Sequence, residues 1–238
     1  MLTTYQMNHF RHCGYLLLPT RLPDDVVDGL KAVIRNDIAA EVEPVARNIE
    51  GRPVRLSALL NRHPVFQKTG SSDAVVGPLS SLLGPNILML RNRHNHATMN
   101  FRSHKGDDFH RDNVQWSRGL LTVIFYLEDT TVENGCIEVV PGSHLLPGVE
   151  GLHRLADIAW IDHSGLLDQA VPIPVQAGQM MAIDSTIFHR AGRNSTDVSR
   201  MSMTIGYQSV DELADAPDPT RTLISGERIY MGNDRKKL

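Results

Sequence analysis

A histidine and an aspartate separated by one residue, His110 and Asp112, are the most informative pair for chemistry in this sequence. Side chains two residues apart on an extended segment point to the same side, so this imidazole and this carboxylate can bind one ion together. His189 directly follows an apolar, strand-like segment that a sheet could bring alongside. Two histidines and one carboxylate leave three positions of an octahedron open, which is typical of non-heme iron(II) oxygenases, whereas a zinc site is more closed.

An arginine downstream of the second histidine strengthens this interpretation. A His-x-Asp pair arises by chance, and most histidines in proteins bind no metal. Arg200, however, begins the apolar segment 201–208 that follows His189. A planar guanidinium suits bidentate binding of a carboxylate. The combination favours a metal site next to a site for a carboxylate.

The elements that must position these residues change character at Pro85. Before it, apolar residues recur at helical spacing, which predicts helices at about 24–38, 56–66 and 73–83. After it, short apolar runs alternate with Gly, Asn, Asp and Pro, the pattern of antiparallel sheets. The predicted strands are residues 87–90, 98–102, 120–127, 137–140, 171–175, 180–183 and 201–208. Seven such strands predict a sandwich or jelly roll, and residues 145–169 form a long connection between two of them.

Composition predicts an ordinary globular protein. The chain has 238 residues, of which 41% are hydrophobic and 21% charged, with a net charge of -3. We expect one domain over 1–238, with a mainly helical part at 1–85, a jelly-roll core at 86–210 and a C-terminal tail at 211–238. No basic surplus indicates a nucleic-acid partner, and no leader pattern or membrane-length apolar run occurs. Two cysteines are too few for a disulfide framework, so we expect a cytoplasmic protein.

The order of several longer motifs resembles one known family. The motifs are HRD, then NGCIEVVPGSH, then AGQMMAIDSTIFHRAGRNS, then Arg200, preceded by GYLLLP and LSALLNRHPVF. Together they cover most of the chain and resemble the phytanoyl-CoA dioxygenase family, in particular its ectoine-hydroxylase-like members. The resemblance implies a mainly β fold with flanking helices, a double-stranded β-helix of the jelly-roll, cupin-like kind. It also implies iron(II), 2-oxoglutarate and dioxygen, with ascorbate as reductant in vitro.

The same resemblance assigns roles to individual residues. His110, Asp112 and His189 become the iron ligands and the catalytic centre, and Arg200 the partner of the distal carboxylate of 2-oxoglutarate. Two further contacts to this co-substrate are predicted, at Thr122 and Asn100. One position departs from the family pattern, because Ala191 stands where a serine is common.

Four residues are predicted to contact the substrate, namely Trp116, His94, His96 and Asn113. Trp116 resembles an aromatic ring that lines the pocket in ectoine-hydroxylase-like proteins, although a core or lid tryptophan is an equal alternative. His94 and His96 belong to the polar segment 91–96, in which strict alternation would place them on the face opposite Arg91, Arg93 and Asn95. A solvated face of hydrogen-bonded histidines is the alternative there.

The predicted function is hydroxylation of an unactivated carbon in a small polar metabolite, amino acid or natural-product intermediate, with release of succinate and CO2. Retention of Asp112 argues against halogenation, since related halogenases lack this carboxylate. One alternative is a cupin-like metal dioxygenase that does not use 2-oxoglutarate, which would have no need of Arg200. Another is a non-catalytic 2-oxoglutarate-binding module, but such relics usually lose a metal ligand.

Overall fold

A computed structural model describes residues 1–113, 119–147, 149, 151–210 and 219–226. Two helices and the short strand between them open the chain: α1 (Thr4–Cys13), β1 (Tyr15–Leu17) and α2 (Asp24–Ala39). There follow β2 (Val45–Arg47), β3 (Pro53–Ser57), α3 (Leu59–Arg62), α4 (Pro64–Gly70), α5 (Asp73–Leu83), β4 (Ile87–Leu90) and β5 (His96–Asn100). The remainder comprises β6 (Leu120–Tyr126), β7 (Ile137–Val140), α6 (Ala159–Ser164), β8 (Val171–Ile173), β9 (Met180–Asp184), β10 (Phe188–Ala191), β11 (Arg200–Ser209) and β12 (Arg221–Ser225).

These strands form two antiparallel sheets. The larger sheet has the order β1-β9-β6-β11-β5-β3-β2, with β4 paired to both β11 and β12, and the smaller has the order β10-β7-β8. Apolar residues of both sheets pack together, among them Tyr126 of β6 and Val139 of β7. Two facing antiparallel sheets around one core make a jelly roll, as predicted.

The larger sheet is buried on both faces, and β6 shows how. Leu121, Val123 and Phe125 belong to the core that includes the helices, whose apolar residues Leu30 and Leu79 come from α2 and α5. The alternate residues of β6 face the smaller sheet. Helices therefore cover one face of the barrel, and the other face is left to form the site.

Several elements differ from the sequence prediction. The predicted helix 56–66 is instead the end of β3 followed by α3 and α4, because His63 is extended before Pro64. Helix α1, with its capping box at Thr3 and Gln6, was not predicted. Five strands were also not predicted, namely β1, β2, β3, β10 and β12. The last lies in the predicted C-terminal tail, yet it pairs with β4.

The described part of the chain contains no helix long and apolar enough to cross a bilayer.

Two glycines allow a close approach between the ends of β7 and β10. Gly135 precedes β7 and has a left-handed φ of 79°, and an added Cβ would collide with the carbonyl oxygen of Gly192. We expect Gly135→Ala to lower the free energy of unfolding by about 2 kcal/mol or more, since left-handed backbone and collision both oppose the methyl group. Urea denaturation of both proteins measures this difference.

Gly29→Ala is the matched control, because a Cβ at Gly29 in α2 meets no atom within 4 Å. This substitution should stabilise the protein by up to about 1 kcal/mol through helix propensity. Equal effects of the two substitutions would contradict the close approach.

Candidate metal and co-substrate site

A reciprocal backbone bridge holds the two candidate metal-binding histidines together. The His110 N–H donates to the His189 carbonyl at 2.9 Å, and the His189 N–H donates to the His110 carbonyl at 2.9 Å. Asp112 is fixed in turn by its N–H, which donates to the Ser185 carbonyl at 2.8 Å. As a result, one ligand atom of each of His110, Asp112 and His189 lies within 4.8 Å of the others. The spacing predicted from the sequence thus brings the three residues together.

The hydrogen bonds of the imidazoles select the nitrogen that can bind a metal. His110 Nδ1 lies 3.1 Å from the Asp108 carbonyl oxygen, and His189 Nδ1 lies 3.0 Å from the Ile187 carbonyl oxygen. A carbonyl only accepts, so each Nδ1 carries the proton and each Nε2 lone pair is free. Burial also lowers the pKa of His110, which favours the neutral ligand form.

Asp112 is held as a carboxylate. Burial alone would raise its pKa, but His189, His94 and the Thr122 hydroxyl together lower it. Thr122 Oγ1 donates to Asp112 Oδ2 at 2.9 Å, and His94 Nε2 lies 3.5 Å from the same oxygen. Oδ1 lies 3.7 Å from His189 Nε2. One carboxylate oxygen is therefore occupied by protein donors and the other faces the histidines.

This donor set fits an iron(II) ion. Two neutral imidazoles and one carboxylate match the facial arrangement of non-heme iron oxygenases. No other cluster of three His, Cys, Asp or Glu ligand atoms occurs in the part of the chain that the structure describes.

The Arg200 side chain lines the same cavity, which has a volume of about 480 Å³. Arg200 is only 6% exposed, and its Nε donates to the Asn134 carbonyl at 3.1 Å. It makes no ion pair with any described carboxylate within 4 Å. Burial lowers its pKa, while nearby Tyr126, Cys136 and Asp107 act in the opposite direction. A buried guanidinium without a paired carboxylate fits the distal carboxylate of 2-oxoglutarate.

The remaining residues predicted from the sequence do not all reach this cavity. Thr122 lines it, with its hydroxyl proton directed to Asp112. Asn100 pairs with Arg200 in register and lines an adjoining cavity that Arg200 also lines, so its contact to the co-substrate stays a prediction. Asn113 is buried, its N–H donates to the Ser185 carbonyl, and it is not among the residues that line the cavity, so its contact to the substrate stays a prediction. Trp116 lies outside the described residues.

The segment 91–96 does not alternate as predicted. His94 has a left-handed φ of 47°, which breaks the extended geometry. Arg93 therefore faces the cavity together with His94 and His96. Arg91 points elsewhere and donates to the Leu60 carbonyl at 3.0 Å. Both predicted histidines thus line the cavity, with an arginine that the pattern had placed on the opposite face.

Sequence reasoning missed several lining residues that the sheet register explains. Arg55 pairs with Thr98, which pairs with Ser202, which pairs with Tyr126, so the four lie side by side across β3, β5, β11 and β6 and all line the cavity. The missing signal was β3 (Pro53–Ser57), whose last two residues fall within the predicted helix 56–66. Because this strand was not predicted, the sequence did not indicate which way the Arg55 side chain points.

Neutral His96 should make stability depend on pH. Arg55 Nη2 lies 3.0 Å from His96 Nδ1, and an arginine only donates, so this Nδ1 accepts. Burial lowers the pKa of His96 to about 3, with a further contribution from Arg55. Below pH 6.5, His96 is therefore protonated in the unfolded chain but stays neutral in the folded protein. The loss of stability grows as pH falls towards 3.

We expect this histidine to remove about 2 kcal/mol of the free energy of unfolding between pH 7 and pH 5. His96→Gln should reduce that pH-dependent loss, because glutamine does not titrate. His104→Gln, at an exposed position, serves as the control and should leave the slope unchanged. Urea unfolding at each pH provides the measurement, and identical slopes for His96→Gln and wild type would refute the expectation.

Thr122 should support metal binding through its hydrogen bond to Asp112. We expect Thr122→Val to weaken iron(II) affinity about tenfold, since loss of a hydrogen bond to a ligand commonly costs 10 to 100-fold. Thr122→Ser, which retains the hydroxyl, should bind iron nearly as wild type does. Anaerobic competition with a chelator measures both affinities, and tight binding by the valine variant would exclude this role.

Comparisons with known proteins agree with the fold. A methylphosphonate hydroxylase of Gimesia maris is 23% identical over 222 residues, covering 89% of this chain and 82% of the relative. The crystal structure of SnoK, a non-heme alpha-ketoglutarate-dependent carbocyclase from nogalamycin biosynthesis, is 23% identical with a TM-score of 0.74, covering 88% and 85% of the two chains. EctD from S. alaskensis with 2-oxoglutarate and 5-hydroxyectoine is 19% identical with a TM-score of 0.73, covering 88% and 77%.

The two structural similarities confirm the predicted jelly-roll fold. The chain spans only 32% of the length of the curated relatives that it matches at 32% identity. Residues 10–202 match the family model described as Phytanoyl-CoA dioxygenase (PhyH). Because this match extends over most of the sequence, the chain belongs to the phytanoyl-CoA dioxygenase family.

Proposed function

We propose that this protein is an iron(II)- and 2-oxoglutarate-dependent oxygenase that hydroxylates an unactivated carbon of a small polar metabolite, amino acid or natural-product intermediate, releasing succinate and CO2. The observation that carries the proposal is a single cavity that contains both the His110, Asp112 and His189 group and the unpaired guanidinium of Arg200. Membership of a dioxygenase family supports the reaction class.

The roles of the chain's own residues follow from their contacts. Bound iron would supply the centre at which 2-oxoglutarate and dioxygen react. The carbonyls of Asp108 and Ile187 keep both histidine Nε2 atoms directed towards the ion. Thr122 keeps Asp112 ionised and oriented. Arg200 would hold the distal carboxylate and so determine which end of the co-substrate reaches the metal.

Apolar side chains limit the access of water to this centre. Ile124, Ile137 and Ile183 line the cavity, and all three belong to the buried core between the sheets. A partly apolar wall strengthens the electrostatic contacts inside the cavity and protects a reactive centre from side reactions. It also leaves the polar remainder of the wall to orient the substrate.

The size of the cavity and the activities of similar proteins support a small substrate. A cavity of about 480 Å³ lies within the usual range for small-molecule sites. The relatives include a methylphosphonate hydroxylase and a carbocyclase, so related scaffolds carry out more than one reaction. Asp112 completes the ligand set and so argues against halogenation, whereas desaturation, ring closure and oxidative demethylation would use the same set; among these reactions we propose hydroxylation. In a cupin-like dioxygenase that does not use 2-oxoglutarate, the buried Arg200 would have no co-substrate carboxylate to bind.

Succinate formation tests the proposal. Protein prepared without oxygen is mixed with iron(II), 2-oxoglutarate, ascorbate and then dioxygen, and succinate is measured. We expect wild type to form succinate slowly even without its substrate, and Asp112→Ala to form none because one metal ligand is lost. Arg200→Gln should raise the Kd for 2-oxoglutarate by roughly 30-fold or more, the effect of losing a charge-assisted bidentate contact.

Arg193→Gln is the matched control, since Arg193 is exposed, its Nε donates to the Ser103 carbonyl at 3.3 Å, and it is not among the residues that line the cavity. Its affinity for 2-oxoglutarate should equal that of wild type. Tight iron-dependent binding of 2-oxoglutarate without succinate formation would indicate that turnover requires the substrate. Absence of binding would reject the co-substrate and favour the cupin-like alternative.

A further inference from the structure

The cavity has a second group of basic residues, two arginines and a neutral histidine, that the proposed function does not use. It consists of Arg55 on β3, Arg93 in the turn before β5, and His96 on β5, and we call it the basic wall. Arg200 lies at the other end of the strand pair, since it pairs with Asn100 while His96 pairs with Thr204 on the same strand β11. The basic wall is therefore separate from the proposed co-substrate carboxylate site.

Arg55 carries an uncompensated charge at the rim of the cavity. Its Nη2 donates to His96 Nδ1, which is neutral. No carboxylate of the described residues forms an ion pair with it. Its partner His96 is held from the other side, because His96 Nε2 lies 3.2 Å from the Thr204 hydroxyl. The contact therefore orients the guanidinium without neutralising it.

Arg93 lies deeper and has a donor without a partner. Its Nη2 donates to the backbone carbonyl of Asp112. Its Nε is buried and makes no hydrogen bond to any described group. Burial lowers the pKa of Arg93, and Asp112 acts in the opposite direction. The Asp112 carboxylate is already occupied by Thr122 and the histidines, so an incoming oxyanion would satisfy the free donor.

The acidic residues of the cavity form no ion pair with Arg55, the basic-wall residue at the rim. Only Asp107 and Asp112 line the cavity among the described residues. Asp112 is the proposed metal ligand, and Asp107 is close enough to Arg200 to act against the lowering of the Arg200 pKa by burial. Arg190 also lines the cavity, and its guanidinium forms an ion pair with Glu138 at 2.7 Å. The positive charges of Arg55 and Arg93 thus remain available.

We propose that Arg55 and Arg93 bind an oxyanion group of the substrate, a carboxylate, phosphate or phosphonate, while 2-oxoglutarate occupies the Arg200 end. This inference rests on the proposed function, because it names the substrate class of the same site. The geometry suits it: Arg93 contacts the backbone of the metal ligand Asp112, and the His94 ring lies between His96 and the Asp112 carboxylate. A small anion held by the basic wall places its carbon atoms next to the metal site.

Calorimetric titration under nitrogen tests the inference with protein already loaded with iron(II) and saturating 2-oxoglutarate. The probes are acetate, phosphate and methylphosphonate, with acetamide as the uncharged analogue. We expect at least one anion to bind and acetamide not to bind. Saturation with 2-oxoglutarate ensures that the probes do not report on Arg200.

Variants then locate the binding. Arg55→Gln and Arg93→Gln should each raise the Kd of the anion by roughly tenfold or more, in excess of any change in the Kd of 2-oxoglutarate. Arg93→Lys keeps the charge and should lose less affinity than Arg93→Gln, which separates charge from folding effects. Arg47→Gln on the neighbouring strand β2 is the control and should bind the anion as wild type does.

The outcomes separate this inference from the function on which it rests. If 2-oxoglutarate binds but no anion does, or if acetamide binds equally well, the inference is wrong and the proposed function stands. Unchanged anion affinity in both glutamine variants would also overturn it. If 2-oxoglutarate fails to bind the iron-loaded protein, the proposed function fails and the substrate assignment falls with it.

Discussion

The site depends on the pair of backbone hydrogen bonds between His110 and His189. These bonds connect two segments that are far apart in sequence and fix both Cα positions at once. β10 is itself paired with β7, so the bridge extends the smaller sheet to the HRD segment. Since each imidazole is then held by the carbonyl two residues before it, backbone geometry alone orients both Nε2 atoms. Because the imidazoles are already oriented, metal binding would not have to be accompanied by the entropic cost of ordering them.

The charges of the cavity are distributed so that each anion has its own partner. Asp112 is surrounded by donors that keep it ionised, and burial keeps the neighbouring His110 and His96 neutral. Neutral imidazoles are needed next to a dication, because protonated ones would repel it and could not donate a lone pair. The arginines stand on either side of this centre, Arg200 at one end and Arg55 with Arg93 at the other. A dianionic co-substrate and an anionic substrate can thus be bound without facing each other.

The sequence predicted the metal site better than its surroundings for a physical reason. Arg200 begins the ten-residue strand β11, where strand periodicity decides the direction of a side chain. His110 and Asp112 lie outside the named strands, but they are only two residues apart, and backbone hydrogen bonds to His189 and Ser185 hold them. The face of Arg93 could not be predicted, because one left-handed residue, His94, reverses the alternation within segment 91–96. Asn100 lies at the end of β5 opposite Arg200 and borders an adjoining cavity that Arg200 also lines.

The basic wall also shows how recognition and stability can be separated along one strand. β3 is joined to β5 through three residue pairs, and Leu56, the middle one of the three paired residues of β3, is fully buried in the core under the helices. Arg55, the preceding residue, faces the cavity on the opposite side of the same strand. Leu56 therefore anchors the strand while Arg55 contributes little to the core. Because the metal ligands belong to other elements, the residue at position 55 can change the ligand that is recognised without disturbing the bridge between His110 and His189.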